Sequence, residues 1–228
     1  MATATSVILT RATTLLQDPT FVRWPLLELF NYISDGQKEA CIHKPNAYVK
    51  ALAVQLVAGT RQALPADGLV LIDVVRNMGA DGTTVGNAIR NVAREILDSN
   101  TPAWHKATAS GVVKHYTFDP KAPKVYYVYP PQPNASMHYA ELIYGAVPAD
   151  LVAPGSTAAI SDFAGTMITL DDIYAGPLLD YVMFRALSKE SEYANKGLAE
   201  KYFALFVARV TGKTQGETAT DPTAPGVK

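Results

Sequence analysis

The apolar positions change period along the chain, and each change marks a change of element. In residues 6–17, Ile8, Ala12, Leu15 and Leu16 recur at i, i+4, i+7 and i+8, the spacing of one helix face. Asp18-Pro19 stops that helix, because proline disfavours helical geometry in the residue before it. Pro25 suits the first turn of a second helix, striped by Leu26, Phe30, Ile33 and Cys41 and ended by Pro45. Gly36 is a weak point inside it.

Short β-branched runs follow. AVQLV (53–57) and LVLIDVV (69–75) read as two strands, joined by a loop of turn formers, AGTRQALPADG (58–68). Residues 77–82 form a second turn. Residues 85–97 carry two readings. Val85, Ile89, Val92 and Ile96 fit a helix, whereas AIRNV fits a strand followed by one helical turn in AREILDS. VVKHYTF (112–118), KVYYVY (124–129) and HYAELIYGAV (138–147) read as further strands. PPQPN (130–134) reads as an edge or loop, because its prolines donate no ladder hydrogen bonds.

Helical spacing returns near residue 170, where Thr169 with Asp172 is a helix-start signal. Leu170, Ile173, Tyr174, Leu178, Tyr181, Val182 and Phe184 are apolar nearly all round, the mark of a buried helix, and Pro177 should kink it. A last helix spans Glu190 to Val210, with Leu198, Tyr202, Leu205 and Phe206 as its stripe. In residues 211–228, TGKTQGETATDPTAPGVK, Val227 is the one sizeable apolar residue, so this tail should be flexible when free. The order predicts an α+β fold. Residues 1–47 and 168–211 form a helical bundle, 48–167 an inserted antiparallel β-rich region, and 212–228 a flexible C-terminal tail.

Composition narrows the function. Of 228 residues, 48% are apolar and 18% charged, with formal net charge -1. A soluble domain carries about 25% charged residues, so some surface is expected to be hidden in an assembly. Neutrality argues against a broad nucleic-acid footprint, which needs a basic excess. No apolar run reaches the roughly 18 residues of a membrane helix. The start has no charged lead before its apolar stretch, so a secretory signal is not expected. One cysteine, Cys41, excludes an internal disulfide and any multi-cysteine metal site.

The chemistry that residues can announce is mostly missing. There is no G-x-S-x-G, and Cys41 sits on an apolar helix stripe, where a buried inert thiol is expected. His43, His105, His115 and His138 lack ligand-like spacing. Gly212-Lys213-Thr214 ends like a phosphate-binding loop but lacks the first glycine and a preceding strand. Asp171-Asp172 is explained by the dipole of a helix start. Arg76, Arg90 and Arg94 are read as solvated charges rather than DNA contacts, and Trp24 and Trp104 as packing anchors. No catalytic residue, metal ligand or cofactor site is assigned.

Six of the twelve tyrosines and seven of the fifteen prolines fall between residues 116 and 154, marking a compact β unit with rigid turns. The tyrosines can form sheet core and a subunit or tail interface, for which Tyr126, Tyr127, Tyr129, Tyr139 and Tyr144 are the candidates. The competing reading is a stacking platform for glycan or single-stranded nucleic acid, with Lys114, Lys121 and Lys124 as a thin cationic complement. The stretch 122–187 is poorest in charge and is expected to hold much of the contact between subunits or with the tail.

Four blocks in order carry a resemblance. They are Trp24-Pro25 with LLEL (26–29) and DGQKE (35–39); GTRQALP (59–65); ILD (96–98) with Pro102, Trp104 and VYYVYPP (125–131); and LLDYV (178–182) with Arg185-Ala186-Leu187. Together the chain resembles the head-to-tail adaptor (connector or neck) proteins of tailed bacteriophages. The resemblance implies a homo-oligomeric ring, usually of twelve copies, beneath the portal vertex. Such a ring completes the head, docks the tail nozzle or tube, and passes genomic DNA through its lumen without sequence-specific binding. It implies a location in the virion neck, with assembly in the host cytoplasm, no membrane and no catalytic residues. It also favours the strand-plus-turn reading of residues 88–99. In several such proteins a C-terminal extension reaches the portal. That makes the tail the candidate portal-binding segment, through Thr211, Gly212, Lys213, Asp221, Pro222, Val227 and Lys228.

Overall fold

A computed structural model of the protein describes residues 3–134, 137–189 and 195–220, with the backbone alone for 213–220. The fold is mixed α+β. The chain divides into two units, Val49–Val147 and the remainder, Met1–Tyr48 with Pro148–Lys228.

The second of these contains α1 (Thr5–Leu16), α2 (Leu26–His43), α4 (Ala175–Ser188) and α5 (Lys196–Thr220). In α1 the core face is Ile8, Leu9, Ala12 and Leu16. Leu15, expected in the stripe, is 51% exposed, because it lies one position round the helix from Leu16. Asp18 ends the turn after α1. Its carboxylate accepts the backbone N–H groups of Arg23 (2.9 Å), Trp24 (3.0 Å) and Val22 (3.3 Å). Burial works against its charge, yet these donors outweigh it and hold the carboxyl below its ordinary range. Trp24 is buried as an anchor, its indole N–H donating to the Ala186 carbonyl at 3.0 Å.

Helix α2 buries Leu26, Leu29, Phe30, Ile33, Ala40 and Cys41. Burying an aliphatic or aromatic side chain of this size contributes about 1.5–3 kcal/mol. Gly36 is no weak point. A Cβ there would lie 2.9 Å from Tyr181 Cδ1 and 3.1 Å from Leu178 Cδ2, so glycine is what lets α2 and α4 approach. Pro177 is the third residue of α4, where a missing N–H costs no intrahelical bond, so the expected kink has no cause. Asp171 accepts from Ile173 N at 3.2 Å and caps the 3-10 turn Asp172–Tyr174 that leads into α4.

Residues 148–167, expected in the β region, belong with the helices. Thr5 N donates to the Thr166 carbonyl at 2.8 Å, and Phe163 packs on Phe30 with ring centroids 5.1 Å apart. The last helix is Lys196–Thr220, so residues 212–220, expected in the tail, continue its backbone.

The β unit holds β1 (Val49–Gln55), β2 (Gly59–Ala63), β3 (Gly68–Asn77), β4 (Arg90–Asn91), β5 (His115–Phe118), β6 (Val125–Gln132) and β7 (Tyr139–Ala146), with α3 (Arg94–Asn100) after β4. Strands order as β1-β7-β3 and β2-β6-β5-β4. Two expectations change, and the pairing adds a third finding. The segment 58–68 is not simply a loop, because it contains β2. That strand was hidden because its inward residues are polar: Thr60 and Gln62 are buried, and the Gln62 amide is satisfied by Val57 N (2.8 Å) and Val57 O (2.7 Å). The strands flanking it, β1 and β3, do not pair with each other, since β7 runs antiparallel between them. Pro130 and Pro131 lie inside β6, an inner strand, not in an edge or loop. They are tolerated where the β2 register shifts between Gly59 and Arg61, and the Pro131 carbonyl still accepts Ser110 N at 2.9 Å. Residues 88–99 follow the strand-plus-turn reading, with β4 parallel to β5 and α3 next in the chain.

Candidate functional site

The tyrosines of β6 and β7 are the candidate contact surface. Side chains alternate along β6 and β7, so consecutive tyrosines point opposite ways. Tyr126 and Tyr144 are each 1% exposed. They are core side chains of their own β unit, not contact surface, because they fall on the inward phase of their strands. Tyr144 donates its hydroxyl to Asp67 at 3.2 Å, and the buried Tyr116 donates to Asp73 at 2.8 Å. Burial raises the Tyr126 hydroxyl pKa, and burial with the Asp73 charge does the same for Tyr116.

Tyr127, Tyr129 and Tyr139 are half-buried on the other phase. Each meets a neighbour of its own chain. Tyr127 lies nearly perpendicular to Trp104 (ring centroids 6.3 Å apart) and His105 (5.8 Å), Tyr129 lies parallel to His115 at 6.2 Å, and the Tyr139 ring covers Gly82. The faces a stacking platform would offer are thus partly occupied. Trp104 is fully buried, its indole N–H donating to Asp98 at 2.8 Å.

The C-terminal candidates divide. Thr211 is half-buried and donates to the Val207 carbonyl at 2.7 Å; Gly212 is exposed; Lys213 continues the helical backbone. Gly212-Lys213-Thr214 is therefore helix and not a phosphate-binding turn. Asp221, Pro222, Val227 and Lys228 lie outside the described residues. Upstream, α5 buries Ala199, Phe206 and Val210, while Leu198 and Leu205 are 39% and 45% exposed. The expected stripe mixed two faces, and the inward one runs at i, i+7 and i+11.

The charge poverty of 122–187 is explained largely by burial within the chain itself. Tyr126, Val128, Leu142, Leu178 and Val182 lie in it with 1% exposure or less. One acid is buried there: Asp180, held by Arg209 Nη1 at 2.6 Å. Burial raises its pKa, and the Arg209 charge opposes that rise.

The remaining groups do not converge. Cys41 is buried and burial pushes its thiol up to about 11, so it is a poor nucleophile. His43 packs edge-on to Phe203 and Phe206, and His105 accepts or donates at Thr60 Oγ1, 2.8 Å away. Arg76 pairs with Glu141 and Arg94 with Asp98; Arg90 is exposed. Among the described residues no group of three or more His, Cys, Asp or Glu side chains is placed to hold a metal ion, and no helix is long and apolar enough to cross a membrane.

Among the described residues, the β unit leaves two strand edges open, on β1 and β2, which sequence reading misses. The available signal was the run VKALAVQ (49–55), which holds no proline or glycine to blunt an edge.

No curated protein matches the chain. The sequence model of one family, described as SU10 adaptor protein, matches residues 3–226, nearly the whole chain and both units. The chain therefore belongs to the SU10 adaptor protein family, a family of phage head-to-tail adaptors.

Proposed function

We propose that this protein is a ring subunit seated between the portal and the tail nozzle or tube. The ring completes the filled head, offers the docking surface for the tail, and passes the genome through its lumen at ejection. The observation that carries this reading is the family match across residues 3–226. Membership gives the coarser role, a structural adaptor of the virion neck that meets portal and tail components.

The physics of such a part agrees with the chain. A ring subunit has two different faces, each buried by a neighbour. Near-neutral net charge and exposed Leu15, Leu198 and Leu205 suit permanent contacts, which are large and relatively apolar. The half-covered tyrosines Tyr127, Tyr129 and Tyr139 remain contact candidates on the same reasoning.

The test is the mass of the purified protein, alone and with the portal protein, followed by low-resolution imaging. A closed ring of about a dozen copies is expected. A strict monomer in the presence of portal overturns the reading.

A further inference from the structure

Hydrogen-bond phase shows which backbone groups of the β unit lack partners. In an antiparallel pair, facing residues alternate between bonded and non-bonded positions. Leu56 N donates to the His138 carbonyl at 2.8 Å, and this pair continues the β1–β7 register of Gln55 with Tyr139. Val54, Leu52 and Lys50 therefore direct their N–H and C=O groups to β7. Val49, Ala51, Ala53 and Gln55 direct theirs the other way. The same argument applies to β2. Leu64 N donates to the Lys124 carbonyl at 3.0 Å, continuing the pairing of Ala63 with Val125, so Gln62 bonds to β6 while Arg61 and Ala63 face outward.

The far ends of the two sheets are not open in this way. Residues 86–92 lie between them. Ile89 N donates to Val75 of β3, and the Asn77 N–H of β3 donates to Asn87; Arg90 N and Val92 N donate to Lys114 and Tyr116 beside and in β5. Among the described residues, the β unit is thus one continuous run, β1-β7-β3, then 86–92, then β5-β6-β2, with β1 and β2 as its two unpaired edges.

The β1 edge lacks most of the usual protection, whereas β2 carries a register shift and the exposed Arg61. A soluble protein blunts an open edge with proline, a bulge or an outward charge. The one charge on β1 is Lys50, and its ammonium is drawn to Asp67 at 2.5 Å. Val49 and Leu52 are 44% and 39% exposed. On β2, Arg61 and Ala63 are exposed and Gly59 offers no side chain.

We infer that β1 of one copy pairs with β2 of the next, through the outward N–H and C=O groups of Val49, Ala51, Ala53 and Gln55 on one side and Arg61 and Ala63 on the other. This rests on the ring reading above. Rows of alternating N–H and C=O dipoles are complemented only by another extended main chain. A second copy is the fitting source because the unit carries two different open edges. Head-to-tail pairing uses both in every subunit and closes as a ring, whereas a two-fold β1–β1 contact would leave each β2 open.

Hydrogen exchange at residue resolution on the purified protein tests this, comparing the assembled state with the dilute monomer. The amides of Ala51, Ala53, Gln55, Arg61 and Ala63 should slow by about tenfold or more on assembly, while Leu52 and Val54 are protected in both states. Ala51→Pro removes an outward donor and leaves the β7 ladder intact, so it should give a folded protein that no longer assembles. Should that variant misfold, Ala53→Cys and Ala63→Cys proteins mixed with a short bismaleimide serve instead. They should cross-link in the mixture and not in either variant alone; Cys41 is buried and stays silent. A ring whose five outward amides exchange as fast as in the monomer overturns this inference and leaves the ring reading standing, as does cross-linking of Ala53→Cys with itself. A monomer that stays monomeric with portal present overturns both.

Discussion

Asp180 and Arg209 tie α4 to α5 through a carboxylate that is almost wholly buried and a guanidinium that is half exposed, 2.6 Å apart with side-chain exposures of 7% and 52%. Burial raises the Asp180 pKa against the opposing Arg209 charge. A carboxyl raised in the folded state favours folding most at low pH, and that contribution is lost as pH rises through the folded value. Arg209→Met leaves the acid buried without its cation. It should cost about 1–3 kcal/mol at neutral pH, below the range for fully buried pairs because Arg209 is solvated. The deficit should shrink as the pH is lowered through the raised range of the carboxyl, because protonation removes the buried charge. Urea melts of both proteins across that range check it. A deficit independent of pH would refute the account.

Gly36 tests the helix crossing. Alanine in a helix interior normally gains about 1 kcal/mol over glycine. Here the added methyl meets Tyr181 at 2.9 Å, and that ring is itself buried. Overpacking of this kind costs about 1–3 kcal/mol, so Gly36→Ala should lower stability and Gly36→Val should lower it further. Thermal melts decide. An alanine variant that melts higher than the parent would mean that α2 and α4 move apart freely.

Asp18 sets the turn between α1 and α2. Its folded pKa is depressed, because three backbone N–H donors outweigh the effect of burial. A depressed carboxyl contributes stability that is present above the unfolded value and lost as pH falls through the folded one. Asp18→Asn should therefore cost about 1–2 kcal/mol near neutrality. The two proteins should converge as pH falls below about 4. Denaturant midpoints at three pH values are the measurement, and parallel curves would contradict it.

Residues 212–228 are expected to be dispensable for folding, because their sequence is nearly free of large apolar side chains. Among the described side chains of α5, which end at Gly212, the buried ones are Ala199, Phe206 and Val210. Deleting 212–228 should leave the melting temperature within about 2 °C of the parent while weakening attachment to the portal. Co-sedimentation with portal rings, next to a thermal melt, reads both. Undiminished attachment would remove the tail from the interface.

Much of the fold was legible because helix and strand periods differ. Ile8, Ala12, Leu26, Phe30 and Ile33 lie on the inward faces that spacing assigned to them. The strand at 90–91 and the helix after it followed the family pattern against an apparent helical period, since Val85 and Ile96, which supported that period, are exposed. Polar inward residues were not legible. Thr60 and Gln62 bury through side-chain hydrogen bonds, so β2 carried no apolar signature. Nor could a list of tyrosines say which were contact surface. Tyr126 and Tyr127 are neighbours in sequence, and the pleat sends one into the core and leaves the other half exposed.

The sequence by itself determined the broad succession of helices, strands and helices, the α+β class, the inert buried cysteine and the kinship with phage adaptors, because these depend on local period and on residues taken in order. Tertiary structure decided what was left uncovered. Which strand lies between which, that β7 separates β1 from β3, and that two edges stay unpaired, all depend on contacts between residues far apart in the chain. A strand's local pattern fixes which of its faces is apolar, but not which of its edges finds a partner.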